Sequence, residues 1–200
     1  MGFYEKSRAA YNRKADGYDH SREGQFTRGF QRLLMAEMTW KAHQSVLDVA
    51  CGNGSFLASM NRRKPIRGFG IDIAERMIEL AAAGNPGMVF RVAGCEAIPF
   101  PDESMDIITV SAAYHHFPDT AAFASEARRV LKPKGMVYIA EIYLPAIIRF
   151  MVNPFVPLLK DGDVRFYSPG EIAGTLRWAG FEEAMVKISG QIQIVSMGKG

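Results

Sequence analysis

Two aspartates and a pair of glycines are the residues here best placed to do chemistry. Asp48 lies in the apolar run Val46–Ala50, and Asp72 closes the strand-like run from Arg67 to Ile71, about twenty residues after Gly52 and Gly54. Gly52-Asn53-Gly54 lets the backbone turn tightly and come close to a ligand. Ser55 to Met60 follows at once with helical composition. A strand, a glycine turn and a helix N-terminus together bring free backbone N–H groups to one place. An acid at the spacing of Asp72 is where βαβ nucleotide-binding units set a carboxylate on ribose hydroxyls. The pattern implies a nucleoside-containing cofactor in an α/β fold.

NAD fits poorly. A dinucleotide fingerprint needs a third small residue, which allows close helix–strand packing. The series here is Ala50, Gly52 and Gly54, and the position three after Gly54 is Leu57. Asp48, just before the turn, would oppose a pyrophosphate and suits a ligand carrying an ammonium group.

These residues need a sheet to hold them. Residues 88–93, 105–111 and 136–142 read as the third, fourth and fifth strands. The helix over 74–85 stops at Gly84-Asn85-Pro86, and Asp119 caps a helix to Leu131 that Lys132-Pro133-Lys134-Gly135 closes. Ser168-Pro169-Gly170-Glu171 is a capping box opening a helix to Ala179. Residues 184–189 and 191–196 alternate around Ser189-Gly190 as a hairpin. Residues 3–40 are helical, with Gly17 interrupting. Tyr143 to Tyr167 is apolar, broken by prolines, and shows no simple element. The whole, 1–200, reads as one domain.

Composition narrows the function. Hydrophobic residues at 48%, charged residues at 22% and a net charge of +3 describe an ordinary globular chain. Its Lys and Arg are scattered, which argues against nucleic acid as a partner. Cys51 and Cys95 form no CxxC, and His20, His43, His115 and His116 contain no i,i+4 pair, so no metal site is expected. With no signal peptide and no run of eighteen apolar residues, a cytoplasmic protein without a membrane span is expected.

The segments VLDVACGNG, GFGIDIAERMIELA, IPFPDESMDIITVSAAYHHFPD and EARRVLKPKGMVYIAE resemble the successive motifs of class I S-adenosylmethionine-dependent methyltransferases. The nearest resemblance is to the small-molecule subgroup containing the ubiquinone and menaquinone methyltransferases, and it runs from Tyr11 to Phe181. It implies a Rossmann-like, doubly wound, seven-stranded, mostly parallel sheet with an antiparallel last strand and helices on both faces. It also implies an N-terminal helical lid over 1–40 and a substrate-covering insertion at 143–167. The implied cofactor is S-adenosyl-L-methionine, with S-adenosyl-L-homocysteine as product.

The resemblance places cofactor contacts at Tyr18, Asp48, Ala50, Gly52, Gly54, Asp72, Ile73, Met77, Gly94, Cys95, Glu96 and Ser111. Gly94 departs from the pattern, since the family carries Asp there to accept from the adenine amino group. Backbone at Gly94 and Cys95, or the Glu96 side chain, is left to substitute. Met77 reads equally as core packing, and Tyr11 and Tyr18 as surface tyrosines of a frayed helix. His115 or His116 would serve as base for an oxygen nucleophile, or the pair packs its own loop.

The acceptor implied is a small molecule, hydrophobic or aromatic if 143–167 covers it, although a dimer contact would use the same apolar residues. A methyltransferase acting on nucleic acid or protein is the second reading. Ser111-Ala112-Ala113-Tyr114 stands where amino-methylating nucleic-acid enzymes carry Asn/Asp-Pro-Pro-aromatic. A non-catalytic S-adenosylmethionine-binding protein is the third.

Overall fold

Apolar runs too short for helices, bounded by turns, become the strands of one sheet. The computed structural model describes residues 2–159 and 161–200, so Met1 of the expected domain and Lys160 of the expected insertion lie outside the described residues. Strands β1 (Ser45–Val49), β2 (Arg67–Asp72), β3 (Val89–Val92), β4 (Met105–Ser111), β5 (Leu131–Ile142), β6 (Phe181–Ser189) and β7 (Ile192–Lys199) form a sheet in the order β3-β2-β1-β4-β5-β7-β6. Pairs from β3 to β5 are parallel, whereas β7 runs antiparallel to both β5 and β6.

The helices are α1 (Phe3–Lys14), α2 (Arg22–Glu37), α3 (Ser55–Arg63), α4 (Glu75–Gly84), α5 (Thr120–Val130), α6 (Ala146–Val152) and α7 (Pro169–Trp178). The period of two in the strands divides the core. Val46 and Ile107 face Phe30 and Leu34 of α2 and Phe56, Leu57 and Met60 of α3. Their neighbours Leu47 and Ile108 face Phe123 of α5 and Leu176 of α7. Strands buried on both faces read as continuous apolar runs, as β1 and β4 do. Each such side chain contributes roughly 1.5–3 kcal/mol.

The chain winds from β1 to β3 in one direction and from β4 to β5 in the other. Connections therefore diverge at the carboxyl ends of β1 and β4 and leave a crevice there. The N-terminal helices α1 and α2, with a 3₁₀ segment over Ala15–His20 between them, cross above it. The helical break expected at Gly17 falls inside that segment.

Two local expectations need correction. Lys132 to Gly135 does not end a helix ahead of β5 but lies within the strand. Leu131 already pairs with Met105 and Met136 with Ile107, so the intervening residues bulge out of the ladder. Lys134 there takes a left-handed φ of 64°, and a Lys132–Asp106 ion pair at 2.9 Å fastens the bulge. The segment 143–167 holds α6 and a 3₁₀ turn at Val156–Leu158, but its large apolar side chains turn outward. Phe150 is 84% exposed and Leu158 77%.

The capping box forms as the sequence implies. Ser168 Oγ accepts from the Glu171 N–H at 3.2 Å, and Glu171 Oε2 accepts from the Ser168 N–H at 2.7 Å. Replacing Ser168 with Ala is expected to lower stability by about 1 kcal/mol, read from urea denaturation. An unchanged midpoint would mean that Ile172 and Leu176, packed on the sheet, hold the start of α7 unaided.

Candidate functional site

The crevice is a partly open cleft walled by the ends of β1, β2 and β4 and by the N-terminal helices. Tyr18, Asp48, Ala50, Gly52, Asp72, Ile73, Met77, Cys95, Glu96 and Ser111 all line it, whereas Gly54 and Gly94 do not. Gly54 stands behind the wall as the N-cap of α3, with φ 76°. Met77 is buried under Ala15, Tyr11 and Tyr18, which is core packing, and it also lines the cleft.

Asp72 organises the glycine turn. Its Oδ2 accepts from the Gly52 N–H and its Oδ1 from the Ala74 N–H, each at 2.9 Å. Four of the N–H groups expected to stand free around the turn, those of Cys51, Gly52, Gly54 and Ser55, are occupied. Cys51 donates to Ile71 O, Gly54 to Cys51 O, and Ser55 to the Asn53 side chain. Such a turn approaches a ligand closely without forming a phosphate cradle. Gly52, at φ 51°, allows that approach.

Asp48 is 3% exposed and paired in register with Thr109 of β4, whose hydroxyl donates to its Oδ1 at 2.6 Å. Burial pushes the Asp48 carboxyl up to about 7, against the Thr109 hydrogen bond and with the Asp72 charge adding to it. Burial raises Asp72 as well, opposed by the N–H groups of Ala74, Gly52 and Ile73. Ser111 Oγ, at the end of β4, is buried without a hydrogen-bond partner and lines the same cleft.

Gly94 finds a structural reason. A Cβ there would come within 2.6 Å of Glu96 Oε2 and 3.2 Å of the Tyr4 ring. The Glu96 carboxylate occupies the space a side chain at 94 would take, and it lines the cleft where Gly94 does not.

The lid of the cleft is N-terminal. Tyr4, Tyr11 and Tyr18 line it, and Asn53 in the glycine turn donates to Asp19 at 2.8 Å. No residue among the described part of 143–167 lines the cleft. That segment reaches the site from behind, through Asp163.

The two histidines differ. His115 is turned away from the cleft between Glu141, at 2.9 Å, and Asp163, at 3.3 Å; burial lowers its affinity for a proton, but the two carboxylates raise it further. His116 lines the cleft and meets the Tyr11 hydroxyl at 3.0 Å through Nε2, and burial together with His115 holds its basicity below the ordinary value. Sequence reasoning passed over Glu141 and Asp163. Glu141 had a signal, a lone acid inside the apolar strand MVYIAEI; Asp163, in an irregular segment, had none. Among the described residues no helix is long and apolar enough to cross a membrane.

Comparison with known proteins adds four findings. A family profile described as a methyltransferase domain matches residues 47–139. A demethylmenaquinone methyltransferase of Thermotoga maritima is 31% identical over 161 residues, covering 70% of this chain and 70% of the relative. The ubiquinone/menaquinone biosynthesis C-methyltransferase of Geobacter sulfurreducens is 34% identical over 126 residues, covering 59% of this chain and 49% of the relative, so the match spans about half of that protein's length. Among solved structures, an S-adenosylmethionine-dependent methyltransferase from Thermotoga maritima superposes with a TM-score of 0.74 at 18% identity, over 99% of this chain and 98% of that one.

The buried Asp48 carboxyl makes stability depend on pH. A carboxyl raised to about 7 in the folded protein and ordinary when unfolded stabilises fully below about pH 4, and this contribution is lost as pH rises to about 7. Relative to Asp48→Asn, the ligand-free protein is expected to lose up to roughly 1.4 kcal/mol per pH unit across that window. Urea denaturation of both at pH 5 and pH 7.5 measures it. Parallel pH profiles would show that Asp48 does not ionise under strain.

Proposed function

The chain belongs to the class I S-adenosylmethionine-dependent methyltransferases, and within that family we propose that it methylates a small apolar or aromatic acceptor, releasing S-adenosylhomocysteine. The observation that carries the reading is the cleft, with two carboxylates buried at adjoining strand ends under a lid of tyrosines. Bound there, the cofactor supplies a methyl group already activated on a sulfonium.

The residues present fit such a group. Each Asp72 oxygen accepts one backbone N–H and keeps a further lone pair for a ribose hydroxyl. Asp48 is a buried anion with no cation from the protein hydrogen-bonded to it among the described residues, so it suits the ammonium of the methionine moiety. Ser111 Oγ is a hydroxyl in want of a partner. Glu96, filling the space beside Gly94, takes the part of acceptor for the adenine amino group. Ile73 and Met77 offer apolar atoms to the ring.

Beyond Asp48, the wall is Tyr11, Ala112, Ala113, His116, Phe117 and Pro118. These surfaces favour an apolar or aromatic acceptor, a preference the outward-facing 143–167 segment no longer supports. His115 is turned away from the cleft, so it takes no proton from an acceptor. The protein's task is to align nucleophile and methyl carbon and to exclude water, which the lid tyrosines do.

Incubation with methyl-labelled S-adenosylmethionine and a panel of phenols and hydroquinones, beside RNA and protein, tests this. Label is expected in the small aromatic acceptors; label confined to RNA or protein would overturn it. Asp72→Ala is expected to weaken S-adenosylmethionine binding by roughly 1–3 kcal/mol, the loss of charge-assisted hydrogen bonds. Undiminished affinity in a folded variant would move the ribose elsewhere.

A further inference from the structure

Behind the cleft, His115, His116 and Asp163 each bring a donor atom to one place. Glu141, fully buried in β5, accepts from the His115 backbone N–H at 3.1 Å and lies 2.9 Å from His115 Nδ1. A carboxylate only accepts, so the ring proton of a neutral His115 sits on Nδ1 and Nε2 is left with its lone pair. The same reasoning fixes His116. Tyr11 has one hydroxyl proton and gives it to Glu23 at 2.9 Å, so its oxygen accepts from His116 Nε2 at 3.0 Å. His116 Nδ1 is then also a lone pair, and it is buried with no hydrogen-bond partner.

Both nitrogens lie near one oxygen. Asp163 Oδ1 lies 3.3 Å from His115 Nε2 and 3.3 Å from His116 Nδ1, and the three side chains are 8%, 11% and 12% exposed. All three donor atoms fall within 4.8 Å of one another. A single proton on His115 Nε2 would join it to Asp163 but leave His116 Nδ1 without a partner.

Distance and charge favour a larger cation. A charge-assisted N–H···O contact is about 2.7–2.9 Å, whereas ligands about 2.0–2.1 Å from a tetrahedral ion stand about 3.3–3.4 Å apart. Two imidazole nitrogens and a carboxylate are a donor set for borderline divalent ions. Glu141 and Asp163 bring two negative charges to this buried cluster, and one divalent ion cancels them. Glu141 and Tyr11 already hold the far ring nitrogens, the support that metal-ligating histidines require.

We infer that His115 Nε2, His116 Nδ1 and Asp163 bind a divalent transition-metal ion such as zinc, with a fourth coordination position left open. The inference stands on this cluster and is independent of the methyl acceptor. Among the described residues, the backbone next to Asp163 is joined to the loop after β4 by Val164 and Arg165, whose N–H groups donate to His115 O at 2.8 Å and 3.4 Å. An ion therefore clamps the 143–167 segment to that loop.

The test is metal uptake by the full chain after stripping with a chelator, using Zn²⁺ and, as a spectroscopic probe, Co²⁺. One equivalent is expected, with visible Co²⁺ bands of tetrahedral intensity. Asp163→Asn and His116→Gln are each expected to weaken uptake at least tenfold, while His43→Gln changes nothing. No uptake by the wild-type chain, or uptake untouched by both cluster variants, would overturn the site. Should either variant fail to fold, anomalous scattering from Zn²⁺-soaked wild-type crystals decides: a peak between the three side chains supports the site, and a peak elsewhere or none overturns it.

Discussion

A buried carboxyl at the reversal of the sheet sets the terms for the rest. The pairing of β1 with β4 puts Asp48 opposite Thr109, and that hydroxyl is the one hydrogen-bond partner of its side chain among the described residues. Burying a carboxylate with so little compensation is costly, and the cost is met by the apolar layers on both faces of β1 and β4. Backbone strain collects at the same place. Ala50 and Ala112, just past the ends of these strands, hold left-handed φ values of 58° and 52°, each an expense of order 1–3 kcal/mol. Charge and strain both lie where a cationic ligand would relieve the first and exploit the second.

The lid is fastened differently from the sheet. Arg8 and Asn12 reach Glu75, and Asp16 meets Arg76 at 2.7 Å, all in exposed positions. Exposed pairs of this kind contribute about 0–1 kcal/mol each. Tyr11 turns inward to His116 and Glu23, Tyr18 packs on Met77, and Asp19 accepts from Asn53 of the glycine turn.

What could be read in the sequence follows from the range of the interactions involved. The glycine turn, the two aspartates and the capping box each depend on residues close together in the chain, and each is found where spacing puts it. The Lys132–Gly135 bulge was harder, because continuation of β5 is decided by its partner strand. The 143–167 segment misled, since apolar composition says that a surface will be covered but not by what. Glu141, Asp163 and Tyr11 meet the histidines across 26, 47 or more positions, and no local pattern announces such a meeting. That the Glu96 carboxylate fills the space beside Gly94 becomes visible only when the two positions are seen together in the fold.

The central claim is that the cleft between Asp48 and Asp72 holds S-adenosylmethionine. Calorimetric titration of the protein with S-adenosylmethionine, S-adenosylhomocysteine and NAD addresses it most directly. Saturable one-to-one binding of both sulfur compounds, with none of NAD, is the predicted result. Binding of NAD, or of neither sulfur compound, would contradict the account.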